Sequence, residues 1–88
     1  KYFLFYENAI IAMEGTYVDG IKVGKWIEYY ESDRKRRKKM TQYPKLVRGK
    51  IPKGAEDFKP YVLKEWDIKG KVIYDKVKVD RMKKSLPR

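Results

Sequence analysis

Apolar and polar residues alternate along this chain with a period of two, in short runs separated by glycine, asparagine, aspartate and proline. That period is the signature of half-buried strands, in which successive side chains point to opposite faces. Residues Lys1 to Tyr6 form an aromatic run of high strand propensity. From Ile10 to Val18, one face carries Ile10, Ala12, Glu14 and Thr16, and the more apolar face carries Ile11, Met13, Gly15 and Tyr17. Asp19-Gly20 then gives the strongest short-range hairpin signal. A longer loop reaching Gly24 also fits, so the register stays open. From Gly24 to Tyr30, Trp26, Glu28 and Tyr30 alternate with Lys25, Ile27 and Tyr29, which places rings on both faces. A single sheet with rings on both sides usually needs a second layer or a partner to exclude water.

Glu31-Ser32-Asp33 predicts the next turn, and Arg34 to Lys39 follows as six consecutive cations. In an extended strand these alternate three to each face, so neither face can be a dry core, and the segment reads as an edge strand whose stems cover neighbouring rings. Residues 45–59, with Gly49, Pro52 and Gly54, predict a long irregular connection. Tyr61 to Asp67 reads as a strand, Ile68-Lys69-Gly70 as a turn, and Lys71 to Val79 as the returning strand, with Val77 and Val79 alternating against Lys76 and Lys78. The expected fold is all-β: an antiparallel meander of about six strands over residues 1–79. A basic tail at 80–88 follows, for which a short helix and a disordered end are both open.

The stretch Glu14 to Glu31 is the centre of this arrangement. It holds Gly15-x-Tyr17, Asp19-Gly20-x-Lys22, Gly24-Lys25-Trp26 and Tyr29-Tyr30-Glu31. A glycine in a strand leaves a gap that a ring from the next strand can cover. These spaced glycines and aromatics resemble the MORN repeat, and in particular its bacterial YwqK-type antitoxin-like variant. The resemblance is good over about a third of the chain and implies a ribbon of hairpin repeats. Aligning Tyr6 on Tyr30 gives a period of 30 − 6 = 24 positions, supported by Phe5-Tyr6-Glu7-Asn8 against Tyr29-Tyr30-Glu31-Ser32, with Ala9 in place of a turn glycine. Setting Trp66 on Tyr30 gives 66 − 30 = 36, one period plus an insertion of 12 in the loop. Lys1 to Tyr6 then reads as the second strand of a unit whose first strand lies upstream. The chain opens on Lys1, as a mature product or a piece of a longer protein would.

Composition narrows the chemistry. The 88 residues include no cysteine and no histidine, which removes disulfides, thiolate and imidazole metal sites, and Ser-His or Cys-His nucleophile systems. The carboxylates lie at turns or among lysines, where solvated ion pairing is the ordinary outcome, so no catalytic, cofactor-binding or metal-binding residue is assigned. No run approaches the ~20 apolar residues of a membrane helix, which predicts a soluble or peripheral protein of undetermined compartment. A formal net charge of +11 predicts attraction to polyanions.

The expected function is a non-catalytic protein–protein interaction or structural module, an accessory or subunit of a larger assembly, with no small-molecule substrate. Tyr17, Trp26, Tyr29, Tyr30 and Trp66 are the candidate partner-binding rings, although rings at repeat positions are first of all material for a core. Arg34, Lys35, Arg36, Arg37, Lys38 and Lys39 are the candidate polyanion-binding residues. Alternatives are a basic ribonucleoprotein component held by phosphate contacts, and a peripheral module on an anionic membrane surface.

Overall fold

In the computed structural model, which describes residues 1–85, the alternating runs form six strands: β1 (Tyr2–Phe5), β2 (Ile11–Val18), β3 (Ile21–Tyr29), β4 (Arg37–Gln42), β5 (Tyr61–Trp66) and β6 (Val72–Asp75). One helix, α1 (Lys76–Ser85), follows. The strands lie in a single sheet in the order of the chain, every neighbouring pair antiparallel. The result is an open meander measuring 50 × 36 × 18 Å.

The turn chemistry accounts for the path. Asp19 and Gly20 adopt φ values of 51° and 78°, the pair of left-handed conformations that a two-residue hairpin with native twist requires. Val18 faces Ile21, so the loop is tight and β3 begins directly after it. Tyr43 and Pro44 still exchange backbone hydrogen bonds with Gly24 of β3. Between 45 and 60 the chain leaves the sheet, with a bridge between Val47 and Lys50 and a single 3-10 turn at Ala55–Asp57. Ala9 takes φ 67° at the first turn, a conformation that costs a residue with a Cβ about 1–2 kcal/mol. Ala9→Gly is therefore expected to raise stability by about 1 kcal/mol, read as a higher urea midpoint at unchanged slope.

The centre of the sheet is where ring meets glycine. Opposite Gly15, β3 carries extra residues, so Glu14 faces Ile27 while Thr16 already faces Val23. Gly24, with φ 71°, makes that bulge. The bulge lays the indole of Trp26 across Gly15, so that a Cβ there would collide with the six-membered ring. Trp26 is 2% exposed, and its Nε1 donates to the Thr16 carbonyl at 3.2 Å. Tyr17 packs edge-on against it at 4.9 Å, and Tyr2 lies 5.7 Å away. Tyr29, two strand positions beyond Ile27, is buried and donates its hydroxyl to the carboxylate of Glu14.

Three expectations are corrected. The basic run is not an edge strand: Arg34 to Arg36 lie in the turn, and Arg37 to Lys39 open β4, which is paired on both sides by β3 and β5. The fold is mostly β, not all-β. The strand expected over Lys71 to Val79 stops at Asp75, whose carboxylate accepts from the amides of Val77 (3.1 Å) and Lys78 (3.4 Å) and so caps a helix. Lys76 and Asp80 pair at 2.6 Å one turn along. The boundary expected between 79 and 80 falls inside this helix; the last three residues of the expected tail, 86–88, lie outside the described residues.

The third correction concerns the repeat. The hydrogen bonds that close the three hairpins on one end of the sheet run from the amides of Tyr6, Tyr30 and Asp67 to the carbonyls of Ile10, Arg36 and Lys71, at 2.9, 2.9 and 2.8 Å. Tyr6 therefore matches Tyr30, as the period predicts, but Tyr30 matches Asp67, one residue beyond Trp66. The hydroxyls follow the same ladder: Tyr6 donates to the Tyr29 carbonyl at 2.6 Å and Tyr30 to the Trp66 carbonyl at 2.7 Å. Each strap joins one hairpin to the next. Tyr6→Phe or Tyr30→Phe leaves a strand-end carbonyl short of its donor, and each is expected to cost about 1 kcal/mol by denaturant titration.

Candidate interaction surfaces

A single layer leaves both ring-bearing faces open to water, and the lysines and arginines of the chain cover them. Lys22 places its Nζ 4.7 Å from the Trp26 ring and 5.2 Å from Tyr43. Lys35 lies 5.3 Å from Tyr29, Lys38 5.6 Å from Tyr30, and Lys76 5.4 Å from Tyr61. The guanidinium of Arg37 sits 4.4 Å from Trp66. In each case the ammonium or guanidinium meets the negative ring face and stays hydrated on its outer side, while its stem covers carbon. Such a lid is worth about 0.5–1 kcal/mol where solvent reaches it. Part of the +11 charge is thus spent as a roof over the aromatic core.

The candidate partner-binding rings separate accordingly. Trp26, Tyr29 and Trp66 are buried at 2%, 2% and 4% exposure, inside the chain's own core. Tyr30 is half-buried, strapped to Trp66 and lidded by Lys38. Tyr17 alone of the five is exposed. Of the candidate polyanion-binding residues, Lys35, Arg37 and Lys38 lie over rings, Lys39 pairs with Glu28 at 3.7 Å, and Arg34 and Arg36 stand in the turn.

Exposed rings also lie at positions not singled out at the sequence level. Tyr2, Phe3, Leu4 and Phe5 are all exposed. They make up β1, which like β6 at the opposite side has a neighbour on one side only among the described residues; β6 exposes Val72 and Ile73 but no aromatic residue at those two positions. Phe3 and Phe5 stack at 6.4 Å, and Tyr2 meets Tyr17 edge-on at 5.2 Å. Among the described residues no cation lies over Tyr2, Phe3, Phe5 or Tyr17. The strand itself carries no charge, although edges of soluble sheets are ordinarily guarded by one. An uncharged aromatic strand in so basic a chain was the available signal.

Burial raises the pKa of the Tyr29 hydroxyl well above the usual tyrosine range, and its hydrogen bond to Glu14 and that carboxylate's charge push it further in the same direction, against a smaller lowering by Arg37. The folded state therefore holds this proton more tightly than the unfolded chain does. Stability linked to Tyr29 is full below pH ~10, where the unfolded tyrosine is still protonated, and falls as pH rises above it by up to about 1.4 kcal/mol per unit. Denaturant midpoints between pH 8 and 12 should decline from pH ~10, and less steeply in Tyr29→Phe.

Among the described residues, no helix is long and apolar enough to cross a membrane, and no group of three metal-ligating side chains comes together. No family model matches the chain, and neither the curated proteins nor the solved structures gave a match.

Proposed function

We propose that this chain is a non-catalytic protein-interaction module built from MORN-like hairpins, and that it docks through the exposed side chains of β1 and Tyr17. The observation that carries the reading is the contrast between the rings of the middle strands and those of the first strand. From β3 to β5 the rings lie beneath cations, whereas Tyr2 to Phe5 and the adjoining Tyr17 are uncharged, exposed and unlidded. Exposed rings of this kind offer apolar surface to the side chains of a protein partner. The MORN-like assignment is supported by the ring over Gly15, the Asp19-Gly20 turn and the two tyrosine straps spaced one hairpin apart.

A second reading, a ribonucleoprotein component, is favoured by the +11 charge and by Arg34 and Arg36 in the turn. Fluorescence anisotropy with a labelled single-stranded RNA between 50 and 300 mM salt (about the span over which phosphate contacts are lost) separates the two. The interaction-module reading predicts only weak binding that salt removes and that Arg34→Gln with Arg36→Gln reduces without regard to RNA sequence. Tight binding with a steep salt slope would support the second reading.

A further inference from the structure

At the far end of the sheet from β1, an open groove of about 360 Å³ runs between the sheet face and the first turn of α1. Its apolar lining includes Met40, Trp66 and Val77, and Lys25, Arg37, Lys64 and Asp75 complete the rim. Lys64 is paired to Asp75 at 3.6 Å. Among the described residues neither Lys25 nor Arg37 has a carboxylate within ion-pairing distance. Three cations against one acid leave the groove positive above an apolar base.

We propose that this groove binds an acidic peptide segment that also carries an apolar side chain. Arg37 is the anchor. Resting on Trp66, its guanidinium is held in place before any ligand arrives, so little side-chain freedom is lost when its N–H groups meet a carboxylate. Lys25 supplies a second positive contact, and Met40 with Val77 offers carbon surface to an aliphatic side chain. Nucleic acid fits less well. Trp66 is 4% exposed and its accessible face is taken by Arg37, so it gives no platform for a base. A phosphate alone would leave the apolar base wet. The proposal is independent of docking at β1, which contributes no residue to the groove.

The test uses fluorescence anisotropy with a labelled peptide alternating glutamate and leucine, blocked at both ends. Two control peptides replace every glutamate by glutamine or every leucine by glycine, and oligouridylate serves as the anionic competitor. Binding is expected to the first peptide, with about a tenfold loss on either replacement. Arg37→Gln should weaken it by about tenfold, and Arg37→Lys should restore little, because lysine lacks the planar fork. Lys25→Gln should weaken it several-fold. If Arg37→Gln changes the circular dichroism spectrum, Lys25→Gln and the control peptides decide the matter. No binding at millimolar peptide overturns the proposal. Equal binding of the leucine-free peptide overturns it too, as does displacement by oligouridylate that depends on Arg37, since either makes the groove a general anion patch.

Discussion

Gly15→Val is expected to abolish the folded state at 25 °C, and Gly15→Ala to cost about 3 kcal/mol, most of what a sheet of this size has. The cause is spatial. The backbone at Gly15 has no positive φ, and any L residue could adopt its conformation. What forbids a side chain is the Trp26 indole, which occupies the position of the missing Cβ. The indole cannot withdraw, because its Nε1 is bonded to Thr16 and its flanks meet Tyr17 and Tyr43. Gly24 provides the contrast: a Cβ there meets nothing, but its φ is 71°, so Gly24→Ala should cost only the left-handed penalty of about 1–2 kcal/mol. Urea titration ranks the two. In a Trp26→Leu background the extra cost of Gly15→Ala should nearly vanish, because the ring that excludes the methyl group is gone.

Trp66→Ala is the second large effect, at about 3–5 kcal/mol. Trp66 is the buried ring of the second half of the sheet, and its side chain supports Arg37. Its backbone carbonyl would still accept the Tyr30 hydroxyl, so the loss isolates the ring from the strap. Hydrogen exchange should report it unevenly, with amides of β5, β6 and α1 losing protection before those of β2 and β3, which are held by Trp26. Trp66→Phe, which keeps a ring beneath Arg37, should recover more than half of the loss.

The meander and the place of the Asp19-Gly20 turn were legible because local chemistry determines them, while the length of that loop and the register stayed open. Asp19-Gly20 signals a hairpin, and a strand glycine such as Gly15 signals a gap for a ring; that the loop has two residues and that the ring is Trp26 is seen only in the fold. Other features depend on distant partners. Six cations in a row argue for an edge when each is counted as a charge, yet β4 sits inside the sheet because Arg37 and Lys38 lie along Trp66 and Tyr30. Rings on both faces predict a missing second layer, and the lysines that replace it come from turns and neighbouring strands. The valines of 77 and 79 keep a strand-like period, but the Asp75 cap decides for a helix. The displacement of the third hairpin by one residue is visible only in the bond from Asp67 to Lys71.

The candidate partner-binding rings divided for the same reason. Sequence shows that an aromatic residue stands at a repeat position but not which side of it is already covered. Trp26, Tyr29 and Trp66 are enclosed, while Tyr17 and β1 are open. Candidate surfaces of this kind are found by asking which apolar surface the chain leaves uncovered.

The most direct test is affinity capture from the native source with three baits: the unchanged chain, Phe3→Lys with Phe5→Lys, and Arg34→Gln with Arg36→Gln. The variants alter the exposed Phe3, Phe5 and Arg34 and the half-buried Arg36, and their circular dichroism should match the unchanged chain. The account predicts a stoichiometric protein retained by the unchanged chain and the arginine variant after nuclease treatment, and lost by the β1 variant. Capture that survives the β1 changes but disappears with nuclease or with the arginine changes would contradict it.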